Sequence, residues 1–136
     1  MKYYISIGCH CIFYLLSILG NCSRTIVSMD YEQVITSPNY PQGYPDDTNC
    51  TYQIWGSTDG RQSVISFTHF ETERGYDFVK VTVDGVLKGE FSGNTGPSTT
   101  FRFFNSALIE FTSDSSNNGR GFRATVKAGM PSFILC

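Results

Sequence analysis

Apolar and polar residues alternate along two stretches of the chain, and this alternation predicts β-strands with one buried face. Residues 79–83 and 122–128 both follow the pattern. Asp84-Gly85, directly after the first stretch, is typical of a two-residue hairpin turn. Further strands are predicted in runs rich in aromatic residues, which are 62–70, 99–104 and 107–112. Beyond residue 20 the sequence sustains no apolar helical spacing, so we predict an all-β sandwich or barrel.

The first twenty residues have a different pattern. Lys2 supplies one positive charge, and a nearly unbroken apolar stretch continues to Gly20. This order is typical of a secretory signal peptide, although the stretch is almost long enough for an uncleaved membrane anchor. We expect residues 1–20 to be removed, which leaves a secreted domain over residues 21–128 without a membrane span. An apolar tail follows over residues 129–136.

Length and charge narrow the functional classes. A chain of 136 residues suits one domain with its own core. Ten Lys and Arg residues against twelve Asp and Glu residues give a net charge of -2, so no basic patch is expected and nucleic-acid binding is disfavoured. His69 is the only histidine after residue 20, and no nucleophile or metalloprotease motif accompanies it. We therefore predict a binding module and not an enzyme.

Three cysteines remain after the predicted cleavage. In an oxidising compartment Cys22 and Cys50 are the natural pair, and closing their 28-residue loop should stabilise the fold by roughly 3.5 kcal/mol. Cys136 is left over, and three explanations stay open: a free thiol, the link of a covalent dimer, or a chain that is a piece of a longer protein. Both paired cysteines lie inside Asn-Cys-Ser/Thr sequons, so Asn21 and Asn49 are glycosylation candidates.

Acidic residues gather in two places. Glu71, Glu73 and Asp77 fall within seven positions, and Asp114 follows a predicted strand inside a stretch rich in Ser and Asn. Calcium prefers six to eight oxygen ligands, which two such loops could supply where they meet at one end of a sandwich. The spacing alone, however, favours the ordinary alternative of solvated loop acids.

Several segments in order along the chain resemble the CUB domain. The match covers about Cys22 to Lys127 and therefore most of the chain after the predicted signal peptide. The resemblance implies a jelly-roll-like sandwich of two antiparallel sheets, an extracellular setting and a role in protein or sugar recognition. The matching segments are Cys22 and residues 37–45, 50–54, 67–73, 76–79, 91–93 and 111–122.

The resemblance extends to a calcium-binding subgroup of that family. It implies carboxylate ligands, a side-chain amide oxygen and a backbone carbonyl, with a tyrosine hydroxyl orienting one carboxylate from outside the metal's contacts. It also implies that the calcium-ordered acidic pocket receives an exposed Lys or Arg of an extracellular protein partner. The implied ligands are Glu73, Asp77, Asp114, Asn117 and the carbonyl of Ser116, and Tyr44 is the tyrosine that orients Glu73.

The sequence departs from the family pattern beside this predicted site. Where the family usually carries a second disulfide, this chain has Arg74 and Ser92. The stretch between Glu73 and Asp77 is also shorter than usual. The missing disulfide removes a constraint beside the loop that would hold the metal, and the shorter stretch changes the geometry of that loop.

Two other functions remain open from the sequence. A spermadhesin-like module would bind glycans without calcium through surface aromatic residues such as Tyr40 or Trp55. A structural subunit would form a disulfide-linked dimer through Cys136.

Overall fold

The computed structural model describes residues 21–130. The predicted signal peptide and the tail from residue 131, with Cys136, lie outside this range, so the predictions that rest on them stay predictions. Within residues 21–130, no helix is both long and apolar enough to cross a membrane. The strands are β1 (Asn21–Val27), β2 (Gln33–Thr36), β3 (Asn49–Trp55), β4 (Ser63–Glu71), β5 (Phe78–Val83), β6 (Val86–Phe91), β7 (Phe101–Phe103), β8 (Ser106–Thr112) and β9 (Gly121–Ala128).

These strands form two sheets. The five-stranded sheet has the order β1-β3-β8-β5-β6, and the four-stranded sheet has the order β2-β9-β4-β7. All neighbouring strands are antiparallel except β1 and β3, which run parallel in register from Asn21 opposite Asn49 to Val27 opposite Trp55. The predicted all-β sandwich of two sheets is confirmed, with this one parallel pair as a local difference.

The core lies between the sheets and follows the alternation seen in the sequence. Val79 and Val81 of β5 are fully buried, and so are Phe122, Ala124 and Val126 of β9. Aromatic rings from the two sheets pack edge to face, a geometry that adds stabilisation beyond the area buried. Strands such as β5 and β8 thus bury one face each, as period-2 patterning requires.

The predicted hairpin turn at Asp84-Gly85 joins β5 to β6 and also fixes a second loop. Both residues have positive φ, 46° and 80°, as this type of turn needs. The carboxylate of Asp84 accepts hydrogen bonds from the backbone amides of Phe104, Asn105 and Ser106 at 3.1, 2.8 and 3.0 Å. Burial alone would raise the pKa of Asp84, but these amides outweigh it and hold the pKa below its ordinary value.

We expect Asp84→Asn to lower the free energy of unfolding by about 1 kcal/mol at pH 7. The folded-state pKa of Asp84 is lowered, so its stabilisation is complete above the unfolded pKa, near 4, and disappears as the pH falls through the folded value. Urea denaturation of the wild type and the variant at pH 7 and pH 3 measures the difference in their free energy of unfolding. The difference between wild type and variant should shrink at pH 3, and a pH-independent difference would contradict the assignment. Glu32→Gln, an exposed acid outside the turn, is the control.

Candidate metal centre

Three carboxylates meet at one end of the sandwich. Glu73 follows β4, Asp77 precedes β5 and Asp114 follows β8. One carboxylate oxygen from each residue lies within 4.8 Å of the others. The structure therefore brings together the three acids that the sequence singled out as metal ligands.

The strand register explains why two of these acids are neighbours. Phe78 at the start of β5 lies opposite Thr112 at the end of β8, which places the residues just outside both strands side by side. The backbone amide of Asp114 accordingly donates a hydrogen bond to Asp77 Oδ1 at 2.9 Å. Glu73 reaches the same place through a tight turn, in which the Asp77 amide donates to the Glu73 carbonyl at 3.1 Å and Gly75 has a φ of 82°.

Asp77 is the fixed point of the cluster. Its side chain is fully buried, and Oδ2 accepts a hydrogen bond of 2.5 Å from the hydroxyl of Tyr44. The same hydroxyl accepts a hydrogen bond from the Glu73 amide at 3.1 Å. Burial and the hydrogen bond to Asp77 raise the pKa of Tyr44 to about 12, so the hydroxyl keeps its proton at neutral pH. Tyr44 thus orients the Asp77 carboxylate and the Glu73 backbone, whereas the sequence predicted that it would orient the Glu73 ligand itself.

Glu73 is only partly satisfied by its neighbours. Its Oε1 accepts a hydrogen bond from the side-chain nitrogen of Asn117 at 3.0 Å, whereas Oε2 is buried and has no hydrogen-bond partner. A buried carboxylate oxygen without a partner is costly. None of the ion pairs among residues 21–130 includes Glu73, Asp77 or Asp114. The cluster therefore fits a hard divalent cation, which would satisfy the remaining oxygen and offset the negative charge.

The Ser/Asn stretch after β8 supplies the other predicted ligands. The amide of Ser116 donates to Asp114 Oδ1 at 3.1 Å, and Asn117 has a positive φ of 61° that turns the chain back towards Glu73. Both residues lie beside the carboxylates. Asn117 presents its nitrogen to Glu73, so its amide group would have to rotate by about half a turn to offer oxygen to a cation.

The loop over residues 37–47 packs against this end of the sandwich. The amide of Asp47 donates to the Asp114 carbonyl at 2.8 Å, and the amide of Tyr44 donates to the Gly119 carbonyl at 3.2 Å. Asn118 also donates to Asp46 Oδ1 at 2.6 Å. These contacts hold the Ser/Asn stretch from outside, so its position does not depend on a cation alone.

Hydrogen bonds bridge the place where the family's second disulfide is missing. Ser92 Oγ accepts from the amide of Gly75 at 3.0 Å. Thr72 Oγ1 donates to the Asp77 carbonyl and accepts from the Gly93 amide, both at 3.0 Å. Sequence reasoning missed Thr72, because a threonine beside an acidic strand end is unremarkable without the register that places it here.

The other predicted positions are spread over the domain. A disulfide joins Cys22 and Cys50, which are opposite each other in the parallel pair of β1 and β3. Asn49 is exposed at the start of β3, which leaves it accessible as a glycosylation candidate. Tyr40 packs against His69 with ring centroids 5.4 Å apart, whereas Trp55 is half exposed at the end of β3.

Sequence comparisons find a family model and several curated proteins that are similar to this chain. A family model described as CUB domain matches residues 22–126. Blastula protease 10 of Paracentrotus lividus is 42% identical over 113 residues, which cover 79% of this chain and 18% of that protein. Cubilin of Homo sapiens is 32% identical over 117 residues, which cover 80% of this chain and 3% of that protein. The chain thus spans only a small part of these curated relatives.

Solved structures that contain similar domains also align with this chain. A structure described as the MASP-1 CUB2 domain bound to Ca²⁺ aligns with a TM-score of 0.68 and 30% identity, covering 79% of this chain and all of that one. The full extracellular region of zebrafish Gpr126/Adgrg6 aligns with a TM-score of 0.71 and 28% identity, covering 81% of this chain and 15% of that one. The first of these two structures is of a domain with bound calcium.

Proposed function

Because this chain belongs to the CUB domain family, whose members are extracellular non-catalytic binding modules, we propose that it is a calcium-dependent protein-binding module. Glu73, Asp77 and Asp114 hold the cation, together with the Asn117 amide and the Ser116 carbonyl. The acidic pocket ordered in this way holds a Lys or Arg side chain of an extracellular protein partner.

The observation that carries this proposal is the buried Oε2 of Glu73, which has no hydrogen-bond partner beside two other carboxylates. Oxygen-only surroundings suit calcium better than the transition metals, which prefer nitrogen and sulfur. The similarity to a CUB domain solved with Ca²⁺ supports the same ion.

Charge balance supports the second half of the proposal. Three carboxylates carry three negative charges, and a bound Ca²⁺ supplies two positive ones, so one net negative charge remains at the site. Residual negative charge at a fixed position favours an ammonium or guanidinium group, and such charge-assisted hydrogen bonds are stronger than neutral ones. The buried Asp77–Tyr44 contact keeps the pocket in place. Binding should therefore weaken with salt as well as with chelation.

We expect 2 mM calcium, compared with chelator, to raise the thermal unfolding midpoint by several degrees, corresponding to about 1 to 2 kcal/mol. Asp114→Asn should abolish the rise, since it removes one carboxylate but keeps an acceptor for the Ser116 amide. Glu90→Gln, an acid that pairs with Lys80 outside the cluster, should retain it. An unchanged wild-type midpoint would refute the calcium site.

A lysine-bearing peptide array then tests the pocket. Binding should require both calcium and the lysine amines, and it should disappear on acetylation of the peptide, which removes the positive charge. If the chain binds calcium but captures no peptide through a lysine or arginine, the cation is structural and the proposed recognition of a basic side chain is wrong.

A further inference from the structure

The outer face of the four-stranded sheet carries three cations. Arg102 lies between the buried Phe101 and Phe103 on β7, so its side chain must point away from the core. Arg123 and Lys127 occupy the same kind of position on β9, each between two buried residues. Alternation along the strands therefore places all three on one face.

The strand register brings these cations within reach of one another. Val64 of β4 lies opposite Arg102 on one side and opposite Lys127 on the other, so the two cations are separated by two strand spacings, roughly 10 Å. Arg123 lies four residues before Lys127 on the same strand, roughly 13 Å away. Together Arg102, Arg123 and Lys127 form what is called here the basic face.

Acidic side chains do not neutralise the basic face. The only acid within β2, β4, β7 and β9 is Glu71, at the last position of β4, and its carboxylate lies 3.6 Å from Arg120 Nε and 4.0 Å from His69 Nε2. None of the ion pairs among residues 21–130 includes a member of the basic face. Arg102 and Arg123 instead donate to neutral groups, Gln62 and Thr68. The face thus keeps its charge in a chain whose net charge is negative.

We propose that the basic face binds a sulfated polysaccharide. The cations are spread over an open sheet with hydroxyl side chains such as Ser66 and Thr68 between them, which suits sulfate groups repeated along an extended chain better than one compact anion. The sheet register spaces the charges at fixed distances, as recognition of a repeating polyanion requires. This site is separate from the acidic cluster and needs no calcium.

Heparin oligosaccharide, titrated against the full chain in chelator at 50 and 150 mM NaCl, tests the proposal. The logarithm of the affinity should fall with the logarithm of the salt concentration with a slope between about -2 and -3, as expected for three cations. Replacing Arg102, Arg123 and Lys127 with Gln should weaken binding about tenfold or more. Arg24→Gln/Lys80→Gln/Lys88→Gln removes the same charge from the other sheet and should stay within about twofold of wild type.

Controls make each outcome decisive. Should the triple variant fail to fold, Arg102→Gln/Lys127→Gln changes only exposed side chains and should still weaken binding. Equal losses of heparin affinity in the two triple variants would show that binding depends only on net charge, which would overturn the proposal. So would absence of heparin binding at 50 mM NaCl, or tighter binding of unsulfated hyaluronan or of a single-stranded oligodeoxynucleotide of matched length.

Discussion

Substituting alanine for Gly121 is expected to lower the free energy of unfolding by about 3 kcal/mol or more. Gly121 has a φ of 93°, a backbone conformation that residues with a side chain rarely adopt, and a Cβ there would lie 1.8 Å from Ser37 Oγ. Ser37 is buried, and its hydroxyl oxygen accepts a hydrogen bond from the Phe122 amide at 3.0 Å. Relief of the clash must therefore move β9 or break that bond. Urea denaturation measures the loss.

Gly85→Ala is the matched control for this substitution. Gly85 also has positive φ, 80°, but a Cβ there meets no atom within 4 Å. Gly85→Ala should therefore cost only the backbone strain, about 1 kcal/mol. The difference between the two variants in free energy of unfolding isolates the steric contribution. Equal losses would show that Ser37 moves away from the new Cβ with no loss of stability.

Cys50→Ser is the second substitution with a large expected effect, a loss of about 2 to 5 kcal/mol. It removes the bond between β1 and β3 and places a hydroxyl at a fully buried position. Because the disulfide lies in the sheet and not among the acidic ligands, the loss should be the same in calcium and in chelator. Paired denaturation curves under both conditions measure it.

Comparison with the partner cysteine tests the origin of that loss. Cys22→Ser breaks the same bond, so Cys22→Ser/Cys50→Ser should be far less destabilised than the sum of the single variants. Additive losses would indicate that packing at each position, and not the bond, stabilises the strands.

Local sequence patterns were sufficient to predict much of the fold. Strands β5 and β9 show strict alternation, and Asp84-Gly85 supplies the backbone freedom of the hairpin, so neighbouring residues alone specify them. The parallel pairing of β1 with β3 is different. It joins residues 28 positions apart, and β1 has no clear alternation that would assign it to an edge of the five-stranded sheet. Such pairings depend on the whole sheet and cannot be deduced from a short window.

The acidic site was predictable in its residues but not in its geometry. The resemblance to a family supplied the ligand set, whereas residue spacing alone did not distinguish a metal site from solvated acids. The hydrogen bond from Tyr44 to Asp77 and the unsatisfied Oε2 of Glu73 arise from loops that meet only because Phe78 lies opposite Thr112.

Net charge gave an incomplete expectation for the surface. A balance of -2 predicted no basic patch, yet alternation on two strands places Arg102, Arg123 and Lys127 on one face of a sheet whose strands contain a single acid, Glu71. Counting charges cannot reveal this, since the separation is created by the direction in which each side chain points.

The strand orders also bear on how the domain is completed during synthesis. β8 lies between β3 and β5 in one sheet, and β9 lies between β2 and β4 in the other. These are the last two described strands to leave the ribosome, so until they emerge each sheet consists of separate pieces with unpaired inner edges. Asp114 lies between them in the chain. The pieces of the five-stranded sheet are therefore joined when β8 emerges, the acidic cluster is complete when Asp114 follows, and the pieces of the four-stranded sheet are joined only by β9.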